Sequence, residues 1–310
     1  MPPSRSLFPV STGSDSAGTS AQPTVAICVP AFGSPGALTD VLRSVESLVL
    51  PPGGAQVVVA VDGPDPELEA AARSHDASVV VLPVNAGSYA ARNAALDQLL
   101  PSVAAVLFTD TDCFVTPDWV QAHLEALQQA DASGGGVTIT TSTPPRPAEW
   151  VDASRHLRQQ HFVEVLGFAA TCNLAVRREW VDKLRFDPDL RSGGDFDFGQ
   201  RLHAAGGSMV YTEQARVLHP ARRSARQVLR KVGRVARGAA VNEGRGHRAT
   251  TRRDATRGTS LTRAREAGLP TTSLWRLRVR ALDLACSLVY ARHVPSVLGP
   301  ALRRRLRRSS

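Results

Sequence analysis

Four short apolar runs separated by helical segments constrain the fold of this chain more than any other feature of its sequence. The runs are rich in β-branched and other apolar side chains, and each has the length of a buried strand. They cover residues 24–30, 56–61, 78–82 and 104–108, and helices are predicted between them at 38–48, 66–75 and 88–100. Strands that alternate with helices form βαβ units, so the sequence predicts an α/β fold with a mainly parallel sheet flanked by helices.

Acidic residues follow two of these runs at the point where each predicted strand ends. Asp62 comes after the second run, and Asp110 and Asp112 come after the fourth. Ligands of such sheets bind beyond the carboxyl ends of the strands, so these side chains are candidates for a binding site. An Asp-Gly pair is also typical of an ordinary turn, which remains the alternative for Asp62.

Asp110 and Asp112 form a closely spaced carboxylate pair with the composition of a metal site. Mg²⁺ and Mn²⁺ prefer oxygen ligands and commonly take one or two protein carboxylates together with substrate phosphate oxygens. Two carboxylates at the edge of a sheet cannot both be buried and unpaired, and a cation that holds a diphosphate explains them. A solvated surface turn is the alternative interpretation of the same pair.

The second half of the sequence has a less regular pattern. A strand is predicted at 134–143, a helix at 149–166, a strand or tight turn at 169–176, a helix at 195–205, and short strands at 208–211 and 215–218. After Pro220 the sequence is Arg-rich and helical to about 240, loosely ordered to about 268, and helical again at 274–292.

Charge is distributed unevenly along the chain. The net charge is +9, but residues 1–215 contain 13 Arg and Lys against 24 Asp and Glu, and residues 216–310 contain 24 against 4. Three interpretations of the basic third remain open: it binds an anionic membrane surface, it binds an anionic acceptor or nucleic acid, or it is a solvated helical face packed on the acidic part. Apolar residues and arginines interleave there at Leu274, Trp275, Arg276, Leu277, Arg278, Val279, Arg280, Leu282, Leu284 and Leu288, and an arginine cluster follows at 303–308.

The sequence lacks the signals that identify several other classes of protein. The chain has no apolar run of the roughly 18 residues that a membrane-spanning helix needs. Residues 1–22 are rich in Ser, Pro, Gly and Thr, which predicts a disordered lead-in. The four cysteines form no Cys-x-x-Cys pair, so the expected location is the cytoplasm, at the inner face of the cell membrane if the basic third binds lipid. A P-loop ATPase is excluded because its phosphate-binding pattern is missing.

Seven ordered segments carry a resemblance that covers about two thirds of the chain. They are 24–32 (TVAICVPAF), 59–63 (VAVDG), 85–93 (NAGSYAARN), 108–113 (FTDTDC), 171–178 (TCNLAVRR), 186–202 (FDPDLRSGGDFDFGQRL) and 217–220 (VLHP). In order and spacing they resemble the family 2 glycosyltransferases, which have the GT-A fold. The resemblance implies a metal-dependent hexosyltransferase, of the EC 2.4 type, that moves a sugar from a nucleotide diphosphate to an acceptor hydroxyl with inversion.

The same resemblance implies an organisation and a set of partners. A glycosyltransferase domain is expected at 23–222, with a nucleotide-sugar half at 23–113 and an acceptor half at 114–222, followed by a basic helical extension at 223–310. The donor is a nucleotide-sugar, with UDP as the expected nucleotide, and the acceptor is a glycan, a lipid or another hydroxyl compound. Nucleic acid is a disfavoured partner. The alternative function is a non-catalytic binding protein that retains the GT-A fold.

The resemblance implies that the donor binds to residues at the ends of the first strands and in the segment before the third helix. Pro30 and Asp62 stand where the family holds the base of the donor, and a carboxylate there can accept a hydrogen bond from a uracil or guanine N–H. The family usually has two acids where this chain has Val61 and Asp62. Arg92 is expected to meet a phosphate or the acidic pair, with a surface helix arginine as the alternative. The full implied set is Pro30, Asp62, Asn85, Gly87, Arg92 and Asp110.

A metal site for Mn²⁺ or Mg²⁺ is also implied. Its ligands by resemblance are Asp110, Asp112 and His219. A purely structural role is the alternative for the histidine, because a lone histidine after a strand is more often part of the packing.

The implied catalytic carboxylate is Asp195. It would act as the general base that removes the proton of the acceptor hydroxyl, with Asp197 in support or in contact with the acceptor. The family usually has Glu-Asp-x-Asp in this segment, and Gly194 replaces the glutamate here, which is the only support for the non-catalytic alternative. Asp195 also suits a helix N-cap, and the two roles are compatible.

Overall fold

The computed structural model of the protein describes residues 22–155, 157–247, 260–269 and 272–294. The predicted lead-in, apart from its last residue, and the arginine cluster at 303–308 lie outside these residues. By its contacts the chain divides into two units. The first contains Met1–Thr138, Gln159–Leu190 and Gly194–His219, and the second contains Ile139–Arg158, Arg191–Gly193 and Pro220–Ser310.

The described residues form one sheet of eight strands. In spatial order these are β3, β2, β1, β4, β7, β6, β8 and β5. β1, β2, β3 and β4 run parallel to one another, whereas β7 runs antiparallel to both β4 and β6. The strand bounds are β1 (Val25–Ala31), β2 (Ala55–Val61), β3 (Ser78–Val81), β4 (Ala105–Thr109), β5 (Phe114–Val115), β6 (Ala132–Thr140), β7 (Asn173–Arg177) and β8 (Met209–Pro220).

Helices flank the strands and make up most of the second unit. Those of the first unit are α1 (Pro35–Glu46), α2 (Pro66–Arg73), α3 (Ser88–Leu96), α4 (Trp119–Ala126), α6 (Gln159–Leu166), α7 (Arg178–Leu184) and α8 (Gly194–Ala204). Those of the second unit are α5 (Pro147–Arg155), α9 (Ala225–Gly244), α10 (Ser260–Glu266) and α11 (Ser273–His293). No helix within the described ranges is long and apolar enough to cross a bilayer.

β1 is the centre of the parallel half of the sheet. It pairs with β2 on one side, from Val25↔Ala55 to Ala31↔Val61, and with β4 on the other. Nearly all of its residues are buried, as an unbroken apolar run predicts. The parallel register brings the carboxyl ends of β1, β2 and β4 to one edge of the sheet. The predicted α/β fold is confirmed, and the acids that follow β2 and β4 lie at that edge.

Two local predictions for the second half are wrong. The helix predicted at 149–166 is two helices, α5 and α6, and Leu157 between them has a φ of +53°, which an α-helix cannot contain. The strands predicted at 208–211 and 215–218 are one continuous strand, β8. Polar residues at 212–214 separate the two apolar runs, but antiparallel strands accept polar side chains on a solvated face.

Asn173, in the predicted TCNLAVRR segment, connects three strands and a helix. Its Nδ2 donates to the carbonyls of Gly136 and Ala215, both at 2.8 Å, and its Oδ1 accepts from the Trp119 indole at 2.7 Å. Oδ1 also lies 2.9 Å from Nε2 of His123, whose pKa burial lowers to about 4, so this imidazole is neutral at pH 7. The asparagine is fully buried and has a structural role, since both ends of its amide are used within the protein.

The second unit has an apolar core of its own. Val279, Leu282 and Cys286 of α11 pack with Val151 of α5 and Val228 of α9. Polar contacts tie the helices together, and the Arg155 guanidinium lies 3.0 Å from a carboxylate oxygen of Asp283. The final predicted helix is therefore confirmed, with one of its faces buried in this unit.

Candidate active site

Asp62 lies directly after β2, and the loop that precedes α3 binds its carboxylate. Oδ1 accepts hydrogen bonds from the N–H groups of Ala86 (2.6 Å) and Gly87 (3.0 Å), and Oδ2 accepts from Gly87 at 2.9 Å. Gly87 has a φ of +98°, a conformation that favours glycine. Asn85 is exposed on the same loop, and its Nδ2 lies 3.4 Å from the Asp62 carbonyl. Asp62 therefore fixes the Asn85–Gly87 loop beside the carboxyl ends of β1 and β2.

Pro30 lies near the end of β1, next to these groups. It is paired with Ala60 across the parallel register, one residue before the end of β2. The backbone N–H of Asp62 donates to the carbonyl of Ala31 at 2.9 Å. The structure thus brings together four of the six predicted donor positions, Pro30, Asp62, Asn85 and Gly87.

Arg92 is a buried residue of α3 that pairs with Asp110. Its side chain is 2% exposed, and Nη2 lies 2.5 Å from Oδ1 of Asp110, just after β4. A second guanidinium nitrogen donates to the Ser88 carbonyl at 3.3 Å. The interpretation of Arg92 as a surface helix arginine is wrong, because the guanidinium is buried and charge-paired. Its partner, one of the two alternatives from the sequence, is the acidic pair.

Asp112, which precedes β5, lies close to His219, which is near the end of β8. Oδ2 of Asp112 lies 3.5 Å from Nε2 of His219, and the aspartate is 48% exposed whereas the imidazole is buried. The Cys113 sulfur belongs to the same cluster, in which the ligand atoms lie within 4.8 Å of one another. A hydrogen bond with Cys172 and burial raise the pKa of Cys113, so it keeps its proton and is a poor ligand for a hard cation. The oxygen and imidazole donors fit Mn²⁺ or Mg²⁺ better than the thiol does.

Asp195 lies in the first turn of α8, and a buried tyrosine contacts it. The Tyr89 hydroxyl donates to Oδ1 of Asp195 at 3.3 Å, and the Phe196 N–H donates to the same oxygen at 2.9 Å. Burial raises the pKa of Asp195, and these hydrogen bonds and the positive charge of Arg92 oppose that rise. A carboxyl with a raised pKa is a stronger base once it is ionised, as a proton acceptor requires.

Tyr89 also explains the glycine that replaces the family's glutamate. A Cβ added at Gly194 would lie 2.7 Å from the Tyr89 ring, closer than such atoms pack. The ring is held in place by Phe186, which stacks on it at a centroid distance of 5.9 Å. A side chain at position 194 and the Tyr89 ring would therefore compete for the same space.

Asp197 has a different environment from Asp195. Residues two apart on a helix do not share a face, and Asp197 is buried against Arg201, with 2.8 Å between Oδ2 and Nε. The guanidinium of Arg201 also donates to the carbonyls of Leu184 and Arg185 at 2.6 and 2.8 Å. This ion pair joins α8 to the end of α7.

A continuous series of contacts connects Asp195 to the edge of the sheet. From Asp195 it passes to Tyr89, whose ring lies 5.7 Å below the Arg92 guanidinium, and then to Asp110, with Asp112 two residues further along the chain. Three candidate acids are thus brought into one region. Tyr89 was missed by the sequence analysis, although it lies inside the NAGSYAARN segment, because nothing in the sequence indicates that its hydroxyl reaches residue 195.

The mixed sheet, the acidic edge and the loop before α3 define a glycosyltransferase of the GT-A type. The chain matches the glycosyl transferase family 2 over residues 26–185. It belongs to the family 2 glycosyltransferases, as the sequence resemblance predicted.

Known proteins agree with this classification. Glycosyltransferase AglE from Haloferax volcanii is 28% identical over 228 residues, which cover 71% of this chain and 74% of that protein. Mannosyltransferase PcManGT from Pyrobaculum calidifontis, solved with GDP-Man and Mn²⁺, has a TM-score of 0.55 at 15% identity, with 87% of each chain covered. S. aureus TarS 1-349, solved with UDP-GlcNAc, has a TM-score of 0.53 at 17% identity, with 69% of this chain and 65% of that chain covered. The chain spans 39% of a longer TarS chain, and at these identities the structural likeness establishes the fold.

Proposed function

We propose that this glycosyltransferase moves a hexosyl group from a nucleoside diphosphate donor to an acceptor hydroxyl with inversion, assisted by Mn²⁺ or Mg²⁺. The contact series from Asp195 through Tyr89 and Arg92 to Asp110 is the observation that carries this proposal. It gives one site a base with a raised pKa and, on the same side of the sheet, acids that suit a cation and a diphosphate. The proposed domain is 23–222, with the donor half at 23–113 and the acceptor half at 114–222.

The donor base is assigned to the edge formed by Pro30, Asp62 and the loop with Asn85 and Gly87. A carboxylate has about four lone-pair sites, and the loop amides use three of those of Asp62. The remaining site on Oδ2 can accept an N–H from a uracil or a guanine. UDP is the proposed nucleotide. TarS, which has the same fold, was solved with UDP-GlcNAc, and this supports a uracil nucleotide. PcManGT was solved with GDP-Man, so a guanine nucleotide is the alternative to compare in an experiment.

The cation is assigned to Asp112 and His219, with Asp110 as a further carboxylate on the same turn. When bound, it would neutralise the charge that builds on the departing diphosphate, which is commonly the largest electrostatic contribution in such reactions. Arg92 acts through Asp110, because its guanidinium holds one carboxylate oxygen and orients the other. Asp112, the more exposed of the two acids, is free of that restraint.

Asp195 is the proposed general base. It accepts the proton of the acceptor hydroxyl as that oxygen bonds to the anomeric carbon, and the bond from this carbon to the diphosphate breaks with its electron pair leaving on the diphosphate. Attack and departure on opposite faces of the carbon give inversion. Positioning of both substrates supplies a large part of the remaining rate enhancement.

Asp197 is proposed to act as a positioning residue rather than as a contact to the acceptor. Its ion pair with Arg201 fixes the helix that carries Asp195 to the carbonyls at the end of α7. The proposal keeps the supporting role expected from the sequence.

Tyr89 is proposed as a second positioning residue, and its removal gives a specific signature. Tyr89→Phe deletes a hydrogen bond that favours the ionised form of Asp195, so the pKa of Asp195 rises further. We expect the acid limb of the rate–pH profile to move to higher pH and transfer below it to fall roughly tenfold. Tyr211→Phe is the matched control, because it removes a hydroxyl from Glu213 outside the site. An acid limb that does not move in Tyr89→Phe would argue against this role.

The test of the proposed function is a donor screen with the full chain. UDP-, GDP- and other nucleotide-sugars are incubated with and without Mn²⁺, and release of nucleoside diphosphate and transfer to simple glycan and lipid acceptors are measured. We expect one nucleotide class to be turned over, with a requirement for the cation. Saturable donor binding with no turnover of any donor would instead support a non-catalytic binding protein.

The second unit is proposed to bind the surface of an anionic membrane from the cytoplasmic side. Its net positive charge and its long helix with interleaved leucines and arginines are the support. Of the apolar residues in that pattern, Val279 and Leu282 are buried within the unit, so they are unavailable to a membrane. The other leucines face solvent.

A further inference from the structure

The exposed face of α11 is an apolar stripe. Its members follow one another at intervals of three and four residues, so they share one side of the helix. The four leucines are 56 to 63% exposed, and a contiguous exposed apolar patch of this kind commonly marks an interaction surface. This leucine stripe consists of Leu274, Leu277, Ala281, Leu284 and Leu288.

Exposed arginines border the stripe on both sides. Arg278 follows Leu277 and lies on one side, and Arg276 and Arg280 lie on the other, as the 3.6-residue period of the helix requires. An apolar stripe between cationic side chains matches the boundary between the hydrocarbon and the phosphates of a lipid layer.

A cavity of about 560 Å³ opens next to the stripe within the same unit. Of the ten described residues that line it, seven are apolar and three are arginines, Arg146, Arg223 and Arg278. Ala281 belongs to both the wall of the cavity and the leucine stripe, so the two apolar surfaces are continuous. One of the arginines, Arg223, also lies 3.9 Å from Glu149, and none of the ten lining residues is acidic.

We propose that this cavity binds the phosphate end of a bilayer lipid. The phosphate contacts the guanidinium groups of Arg146, Arg223 and Arg278, which suit phosphate oxygens by shape and charge. The first part of the hydrocarbon chain lies on the apolar wall and continues along the leucine stripe. The inference deepens the proposed membrane association of the second unit by naming the lipid group and its site, and it does not depend on sugar transfer.

Other ligands fit these surfaces less well. A sugar needs hydrogen-bonding groups around its hydroxyls, and seven of the ten lining residues offer only apolar side chains. A single nucleic acid strand calls for aromatic side chains beside the cations, and none lines the cavity. A second copy of the chain would bring two sets of arginines together, and like charges oppose that association.

The first test uses dodecyl phosphate below its micelle-forming concentration, titrated calorimetrically into the full chain. We expect saturable binding, no binding of inorganic phosphate at the same concentration, and loss of binding in Ala285→Phe, which fills the cavity. Equal binding of inorganic phosphate, equal binding by Ala285→Phe, or no binding of dodecyl phosphate would each overturn the proposal. A far-UV circular dichroism melt shows whether each variant is folded.

The second test separates the cavity from general membrane electrostatics and uses only exposed arginines, whose replacement leaves the fold intact. Binding to vesicles of phosphatidylglycerol and phosphatidylcholine is compared for Arg278→Gln and Arg280→Gln. A phosphate contact predicts a loss of roughly 10- to 100-fold for Arg278→Gln. Arg280 does not line the cavity, so in the control Arg280→Gln only the general attraction to the anionic surface is weakened. We expect vesicle binding of this control to fall only about fivefold. Equal losses contradict the cavity site while leaving membrane association in place, and binding to duplex DNA with no preference for vesicles contradicts both.

Discussion

Replacement of Asp195 by asparagine is expected to lower the rate of sugar transfer by about 10²- to 10⁴-fold, the contribution of a general base. The amide keeps the size of the side chain and can still accept from the Tyr89 hydroxyl and the Phe196 N–H. It cannot accept the proton of the acceptor hydroxyl. The loss should therefore appear in kcat, with donor binding nearly unchanged.

The measurement is a comparison of kcat with the dissociation constant of the donor, made for Asp195→Asn and for the control Asp189→Asn. Asp189 is an exposed acid six residues earlier, so the control makes the same change of charge outside the site. In the unmodified protein, the raised pKa of Asp195 places its ionisation above the usual range of an aspartate. Activity should thus fall as the pH drops through that raised value. Turnover within threefold of the unmodified protein would remove Asp195 from the mechanism.

Replacement of Asp112 by asparagine is expected to lower transfer by about 10²-fold or more, because the loss of a cation is worth several kcal/mol of charge stabilisation. The carboxylate faces His219 and is the more exposed acid of the turn after β4. Asparagine removes the negative charge that a hard cation prefers, and its oxygen is a weaker ligand. Higher Mn²⁺ should restore part of the activity if Asp112 is a ligand.

Mn²⁺ binding in the presence of the nucleoside diphosphate, followed by electron paramagnetic resonance, checks this expectation. The control is Asp118→Asn, which alters an exposed acid before α4 whose side chain makes no capping hydrogen bond. We expect weaker Mn²⁺ binding in Asp112→Asn alone. Unchanged Mn²⁺ affinity together with unchanged transfer would place the cation elsewhere.

The parallel half of the fold was predictable because its signals are local. Each strand from β1 to β4 contains an unbroken apolar run, and the acids after β2 and β4 come where the runs stop. The family could also be identified from the order of seven short segments. The placement of Pro30, Asp62 and Asp110 at one edge of the sheet followed from these two facts, whereas the burial of Arg92 did not.

The second half was less predictable, because its elements depend on their neighbours. The break between α5 and α6 rests on one residue with a positive φ, Leu157, whose identity does not indicate it. The polar middle of β8 lies beside β6, where the hydroxyls of Thr212 and Ser133 are 2.8 Å apart although the two residues are 79 positions apart in the sequence. In α11, leucines occur on both sides of the helix, so the sequence alone could not say that Leu282 is buried and Leu284 exposed.

By itself, the sequence determined which residue types stand at the ends of the first strands, because strand length and parallel order follow from local apolar patterns. Only the tertiary structure decided that Tyr89 contacts Asp195, that its ring occupies the space beside Gly194, and that Asp197 turns to Arg201 instead. Residues 89 and 195 are more than a hundred positions apart, and no local pattern records such a distance. Packing of α3 against Phe186 contributes to it.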